Sequence, residues 1–154
     1  MRAALVVLRI FWGLVYFADG MAKFYPGIVH LPGGLQLIGQ NSARLILMEE
    51  ALRNPFQLYH SFVFGMVLPN WHFFINLEAG LEVLAGGLLI LGLATRLGAL
   101  LAALIALHLQ FLSMFDGVWV FEYAVQWVTL LSLAFMQAGR SFGLDGVTGN
   151  RRFA

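Results

Sequence analysis

Two carboxylates one helical turn apart, Glu78 and Glu82, open a stretch that is otherwise almost entirely apolar. The apolar run 83–94 follows them, and Thr95 and Arg96 close the stretch. A helix exposed to water would carry polar residues along one whole face, whereas this stretch carries them only at its ends. The pattern is typical of a helix that crosses a bilayer with its acidic side chains turned away from lipid.

Later apolar stretches are interrupted by His108 and Gln126, and helical rise places both near the depth of Glu82. We count about 1.5 Å per residue from the cytoplasmic end of each predicted span. On this scale the three residues lie about 17–20 Å from the cytoplasmic side. A His–Glu pair beside a membrane cavity could hydrogen-bond a quinone carbonyl and exchange its protons, because histidine titrates near neutral pH. Arg9 lies lower, at about 9 Å on this scale. We predict that it pairs with Glu82, because a guanidinium without a counter-ion would be too costly inside a bundle.

A second polar layer lies at about 24–26 Å on the same scale, with Lys23 just above it, and comprises Asp19, Glu78 and Glu122. We interpret the two layers as one polar pocket that opens toward the outer face of the membrane. Each ionisable group inside a span costs roughly 2.5–3.5 kcal/mol on insertion scales, so such groups usually mark a path for a substrate, ions or protons.

The catalytic candidates are Glu78, Glu82 and His108. The remaining candidates for the quinone or substrate pocket are Arg9, Asp19, Lys23, Glu122 and Gln126. The alternative interpretation is an internal hydrogen-bonded network that fixes the register of the helices.

The composition indicates an integral membrane protein. Hydrophobic residues make up 60% of the 154 residues and charged residues only 11%, whereas soluble domains average about 25% charged residues. The chain contains no cysteine, which excludes structural disulfides, thiolate catalysis and cysteine-ligated metal centres. Its net charge of +1 and the lack of basic runs give no reason to expect a nucleic-acid partner. We predict no metal site and no covalently bound cofactor.

Four apolar stretches are long enough to be spans, and we place them at residues 3–24, 73–94, 97–115 and 119–138. The turn between the second and the third is very short, so these two are predicted to form an antiparallel hairpin. Residues 25–72 carry helical spacing in two short stretches, the second of which stops before Pro69, and this predicts an insertion with two short helices. The sequence therefore predicts one all-α domain over residues 1–154. This domain is an integral membrane four-helix bundle with a short helical extracytoplasmic insertion between helices 1 and 2.

Basic residues are more frequent on the side of the predicted bundle that holds both termini and the turn between spans 2 and 3. The basic residues of that side are Arg2, Arg96, Arg140, Arg151 and Arg152. Those of the opposite side are Lys23, Arg44 and Arg53. The positive-inside rule then places both termini in the cytoplasm. The first stretch has no small-residue cleavage pattern, so we interpret it as a retained span rather than a signal peptide.

Three places along the chain resemble one known family, in the same order and spacing. The first is the stretch RIFWGLVYFADGMAKF, with matching positions Arg9, Gly13, Phe17, Gly20 and Lys23. The second has matching positions Glu82, Gly86, Leu89, Gly92, Leu93, Thr95 and Arg96, and the third is the tail AGRSFGLD. Together they resemble the DoxX family of small four-helix membrane proteins. The segment NPFQLYHSFVFGMVLPN looks like the extracytoplasmic insertion of the DoxD-type branch of that family.

The DoxD-type branch includes the membrane subunit of thiosulfate:quinone oxidoreductases. The resemblance therefore implies a membrane subunit of a quinone-linked oxidoreductase in a bacterial or archaeal cytoplasmic membrane, with thiosulfate as the candidate donor and a membrane quinone as the cofactor. Its partners would be the lipid bilayer and either a second oxidoreductase subunit or a second copy of the chain. Two alternatives stay open, a non-catalytic membrane anchor or accessory subunit of a larger complex, and a small-solute carrier. A cavity lined by Glu82, His108 and Gln126 would favour the redox role, and salt-bridged acids without a cavity would favour the anchor.

Overall fold

The computed structural model describes residues 2–115, 121–136 and 143–148. These residues are mostly helical, and three of their helices are long and apolar enough to cross a membrane. The three are α1 (Arg2–Ala22), α4 (Trp71–Leu91) and α5 (Thr95–Ser113), each close to one of the first three predicted spans. A further apolar helix, α6 (Phe121–Phe135), is shorter. The ends of the predicted fourth span, at residues 119–120 and 137–138, lie outside the described residues.

The residues between α1 and α4 form an insertion that begins with a small hairpin. Its strands, β1 (Val29–His30) and β2 (Gln36–Leu37), pair antiparallel. The sequence pattern does not predict this hairpin, because two-residue strands have no recognisable period. Two short helices follow, α2 (Gln40–Arg53) and α3 (Gln57–Phe62), and α3 continues as a π-helical turn over Val63–Val67. An apolar core joins the insertion to the start of α4 and comprises Ala51, Val63, Val67, Leu68, Trp71 and Ile75.

The long helices pack in chain order, with α1 on α4, α4 on α5 and α5 on α6. The described parts of α1 and α6 touch only slightly. A Cβ at Gly13 would lie 2.9 Å from the backbone nitrogen of Ile90, so the glycine allows α1 and α4 to approach closely. On α5 the residues of the main core are Ala99, Ala102 and Ala103. Small residues of this kind are typical of helix contacts in lipid, where close backbone packing drives association.

The turn between α4 and α5 is held by residues from the C-terminal part of the chain. Gly92 (φ 63°) ends α4 and Ala94 (φ 45°) precedes α5, both in the left-handed conformation. Asp145, in the short helix α7 (Leu144–Thr148), caps α5, because its carboxylate accepts hydrogen bonds from the backbone amides of Ala94 (2.7 Å) and Thr95 (3.0 Å). The Asp145 amide in turn donates to the Gly92 carbonyl at 2.9 Å. α7 therefore lies at the end of α4 opposite the insertion.

Candidate functional site

A cavity of about 610 Å³ lies between α1, α4, α5 and α6, and residues of α2, α3 and the π-helical turn form its wall on the insertion side. Apolar side chains make up most of the lining. The structure brings six of the predicted site residues to this cavity, namely Asp19, Lys23, Glu78, Glu82, His108 and Gln126. Its volume falls within the range of about 300–1,000 Å³ that is usual for small-molecule sites.

Lys23 is the centre of a buried ion cluster in the cavity wall. Its ammonium nitrogen donates to both carboxylate oxygens of Glu82, at 2.6 and 2.8 Å, and to Asp19 Oδ2 at 2.8 Å. The side chains of Lys23 and Glu82 are only 7% and 1% exposed, so both charges are almost completely removed from water. Two carboxylates around one ammonium give the cluster an excess of negative charge when both are ionised.

The local sequence explains how this cluster forms. Asp19 lies in the last turn of α1 and Lys23 directly follows α1, with its amide still bonded to the Asp19 carbonyl at 3.2 Å, so the two side chains lie on the same side. Gly20 lies between them and faces α4, where a Cβ on this residue would come within 2.8 Å of the Glu82 Cβ. The missing side chain lets the two backbones approach, and Lys23 then reaches an acid on the neighbouring helix. Direct hydrogen bonds of this kind are what a buried carboxylate needs to offset its loss of hydration.

A second polar group lines the cavity where the insertion meets α5. The Tyr59 hydroxyl of α3 and His108 Nε2 of α5 are hydrogen-bonded at 3.0 Å. The Ser113 hydroxyl lies within hydrogen-bonding distance of Glu50 Oε2, at 3.3 Å, and of the Leu109 carbonyl, at 2.9 Å, and so connects α5 to α2. Burial, followed by the negative charges of Glu50 and Glu78, raises the pKa of Tyr59 to about 12. The Tyr59 hydroxyl is therefore neutral at physiological pH and able both to donate and to accept a hydrogen bond.

Two buried donors in the cavity wall have no hydrogen-bond partner among the described residues. They are the Tyr16 hydroxyl of α1 and the Trp71 indole N–H of α4, on residues that are 4% and 8% exposed. A buried donor that is left unsatisfied costs about 1–3 kcal/mol, so an acceptor on a bound molecule would stabilise this wall. The indole N–H of Trp12 also has no partner in the described part of the chain, but Trp12 belongs to the main helical core and does not line the cavity.

Arg9 lies outside the cavity, and its predicted pairing with Glu82 is wrong, because the Glu82 carboxylate is bonded to Lys23. The Arg9 side chain is 1% exposed and lies beside Gly92, where a Cβ would overlap the guanidinium group. The negative charge of Asp145 acts on it there. The depth count fails because it starts every span at one plane, whereas glycine contacts set the actual register of α1 along α4.

The sequence pattern does not single out six polar residues of the cavity wall, which are Tyr16, Glu50, Tyr59, Trp71, Ser113 and Tyr123. Tyr16 had a usable signal, because it lies three residues before Asp19 on the same face of α1. Glu50 and Tyr59 belong to the insertion, and the spacing of its apolar residues does not predict which of them pack against the long helices. Glu122 is part of α6, and its side chain lies outside the described residues.

No group of three or more His, Cys, Asp or Glu residues is placed to hold a metal ion in the part of the chain that the structure describes. Comparisons with protein-family models, with curated proteins and with solved structures found no match. The shape, charge and hydrogen-bonding groups of the cavity therefore carry the functional interpretation.

Proposed function

We propose that this chain is the membrane subunit of a quinone-linked oxidoreductase and that its cavity binds the quinone head group. On this proposal α1, α4, α5 and α6 cross the bilayer as a four-helix bundle, with residues 119–138 as the fourth span and both termini in the cytoplasm. The three long apolar helices support the membrane location. The resemblance to the DoxD-type branch of the DoxX family supports thiosulfate as the candidate electron donor.

The observation that carries the proposal is the pair of unpartnered buried donors, Tyr16 and Trp71, in the wall of a largely apolar cavity. A quinone is a neutral ring with two carbonyl acceptors, so a carbonyl could accept a hydrogen bond from either donor once that side chain turns toward the ligand, while the ring contacts apolar side chains. Its hydrocarbon tail also needs a path into lipid. Val15 of α1 lines the cavity and is 39% exposed, and the described parts of α1 and α6 touch only slightly, which supports a lateral opening for the tail.

The charges of the cavity favour a neutral ligand over an anion. One ammonium group, that of Lys23, lines the described part of the cavity together with four carboxylates, those of Asp19, Glu50, Glu78 and Glu82. Thiosulfate is a dianion, and carboxylates close to it would repel it strongly. We therefore place the oxidation of the donor in a partner subunit. Oxidation of two thiosulfate ions to one tetrathionate releases two electrons, and the quinone takes up these electrons with two protons to become a quinol.

One observation favours a second candidate, a non-catalytic membrane subunit. Glu82, which the sequence analysis selects as a catalytic group, is already bonded to Lys23 through both carboxylate oxygens. A carboxylate held in this way fixes the contact between α1 and α4 without any reaction. A purely structural subunit does not require the cavity that lies beside Glu82. For this reason we place the quinone-linked role first.

Binding of a short-chain ubiquinone analogue to the purified protein in detergent tests the proposal. We expect Tyr16→Phe and Trp71→Phe each to weaken binding about three- to tenfold, because each variant removes one donor and retains an aromatic ring. Trp12→Phe is the matched control, because it removes an unpartnered buried donor outside the cavity and should leave the affinity unchanged. The proposal would be contradicted if Tyr16→Phe and Trp71→Phe bound the quinone as tightly as Trp12→Phe does, or if the unaltered protein bound no quinone.

Turnover separates the two candidate functions. Thiosulfate-dependent quinone reduction is measured in membranes that contain the chain and its partner subunit, and the rate is divided by the amount of folded protein. In the redox role, Glu82→Gln and His108→Leu reduce this specific rate severely, because both groups line the quinone cavity. In the non-catalytic role, both variants lower stability and leave the specific rate unchanged.

A further inference from the structure

The wall of the cavity that faces the insertion carries a group of side chains that can exchange protons. Tyr59 and His108 are hydrogen-bonded at 3.0 Å and Glu50 is hydrogen-bonded to Ser113, and all four line the cavity. These contacts join α2, α3 and α5, so the group spans the junction between the insertion and the bundle. It is separate from the Lys23 cluster, with which it shares no hydrogen bond among the described residues.

The titratable members of this group, two from the insertion and His108 from α5, differ in burial. Glu50 and Tyr59 are half-buried, whereas His108 is exposed. The neighbour of Glu50 along α2 is Glu49, whose side chain is 66% exposed and pairs with Arg53 at 2.8 Å. Glu50 thus lines the cavity and directly follows, on the same helix, a residue of an exposed ion pair.

The chemistry of the three titratable groups suits proton transfer. An imidazole changes charge near neutral pH, and a phenol can accept one proton while it donates another. Burial raises the pKa of Glu50 above its ordinary value, and the charge of Glu49 also raises it, while the Ser113 hydrogen bond and the charge of Arg53 oppose the shift. From α4, Glu78 lines the same cavity and its charge acts on Tyr59. The carboxyl group of Glu50 is therefore shifted toward the pH range in which proton relays work.

We propose that Glu50, Tyr59 and His108 form a proton relay between the cavity and the water-exposed surface of the insertion. The inference rests on the proposed function, because it concerns the protons that quinone reduction consumes. The two electrons come from the oxidised donor in the partner subunit. The two protons come from water through the relay, and each forms an O–H bond at one of the two quinone oxygens. Reoxidation of the quinol would return the protons by the same route.

Electrochemistry can test the relay without the partner subunit, because an electrode supplies the electrons. Purified protein is adsorbed to an electrode in a lipid film with a short-chain ubiquinone analogue, and the rate of reduction of the bound quinone is measured as a function of pH. We expect Glu50→Gln and Tyr59→Phe to slow reduction about tenfold or more at neutral pH and to alter its pH profile, because proton delivery becomes rate-limiting. Quinone affinity should change less than twofold in both variants.

Glu49→Gln is the matched control, because it neutralises the exposed neighbour of Glu50 and should leave the rate and its pH profile unchanged. Tyr59→Phe keeps the ring that packs edge-on against Phe111 at 5.2 Å, so it decides the question if Glu50→Gln fails to fold. If the quinone binds and the relay variants reduce it at the unaltered rate, the relay is refuted and the proposed function stands. If the unaltered protein binds no quinone, the proposed function fails and the relay fails with it.

Discussion

Burial of the ion pair between Lys23 and Glu82 predicts a large energetic coupling between the two residues. Lys23→Met leaves the Glu82 carboxylate, 1% exposed, without the cation that contacts both of its oxygens. Loss of one partner from a buried pair typically costs about 3–5 kcal/mol. Glu82→Gln should cost less, because Lys23 keeps its bond to Asp19 at 2.8 Å, and the Asp19 side chain is 33% exposed to water. The double variant buries neither charge, so we expect it to be more stable than Lys23→Met by about 2 kcal/mol.

Reversible unfolding in mixed detergent micelles, followed by circular dichroism, gives the four free energies of this double-mutant cycle. The chain offers a matched control in Arg53 and Glu49, which are also 2.8 Å apart but have side chains 48% and 66% exposed. For that surface pair, Arg53→Met and Glu49→Gln should show a coupling of only about 0.3–0.5 kcal/mol. A coupling at Lys23 and Glu82 that is no larger than at the control pair would refute the reasoning from burial.

Three further predictions concern the helix contact, the cap and the insertion. Gly20→Ala should destabilise the protein by about 1–3 kcal/mol in the same unfolding assay, because its Cβ would lie 2.8 Å from the Glu82 Cβ. The control Gly87→Ala, with nothing within 4 Å of its Cβ, should be neutral or slightly stabilising. Asp145→Ala should lower the free energy of unfolding by about 0.5–2 kcal/mol, because the first amides of α5 lose their cap. Since the pKa of Glu50 is raised on folding, its stabilising contribution is complete below its ordinary pKa of 4.5 and is lost as the pH rises through the folded value. The free energy of unfolding of Glu50→Gln, measured as a function of pH, should lack this decrease. The same pH dependence in the variant and in the unaltered protein would contradict a raised pKa of Glu50.

The sequence predicts the long apolar helices well, because each is a long run of apolar side chains with polar residues at its ends. It also selects Glu82, His108 and Gln126, which come from different helices and line one cavity. Such selection is possible because an ionisable or amide group inside an apolar run is costly unless it faces a partner or a cavity. The resemblance to the DoxX family adds a functional expectation that the residues alone do not supply.

Helix register is what the sequence does not predict. A rise of about 1.5 Å per residue gives depth only relative to an assumed starting plane, and that plane differs between α1 and α4. In the structure Gly20 lies against Glu82, and Arg9 therefore comes to lie beside Gly92, about 15 Å farther along α4. The same limit explains why the depth count pairs Glu82 with Arg9 rather than with Lys23, because the count places Lys23 above both polar layers. Which small residues touch is a property of the packed pair of helices rather than of either helix alone.

The Asp145 cap links the order of protein synthesis to the assembly of the bundle. The amide of Ala94 is made 51 residues before the carboxylate that binds it. On the proposed membrane topology, the α4–α5 hairpin would enter the bilayer before the first amides of α5 receive this cap. The cap can form only after Asp145 has been synthesised. Chains cut short before Asp145 should therefore carry an uncapped α5 and be degraded faster than the full chain.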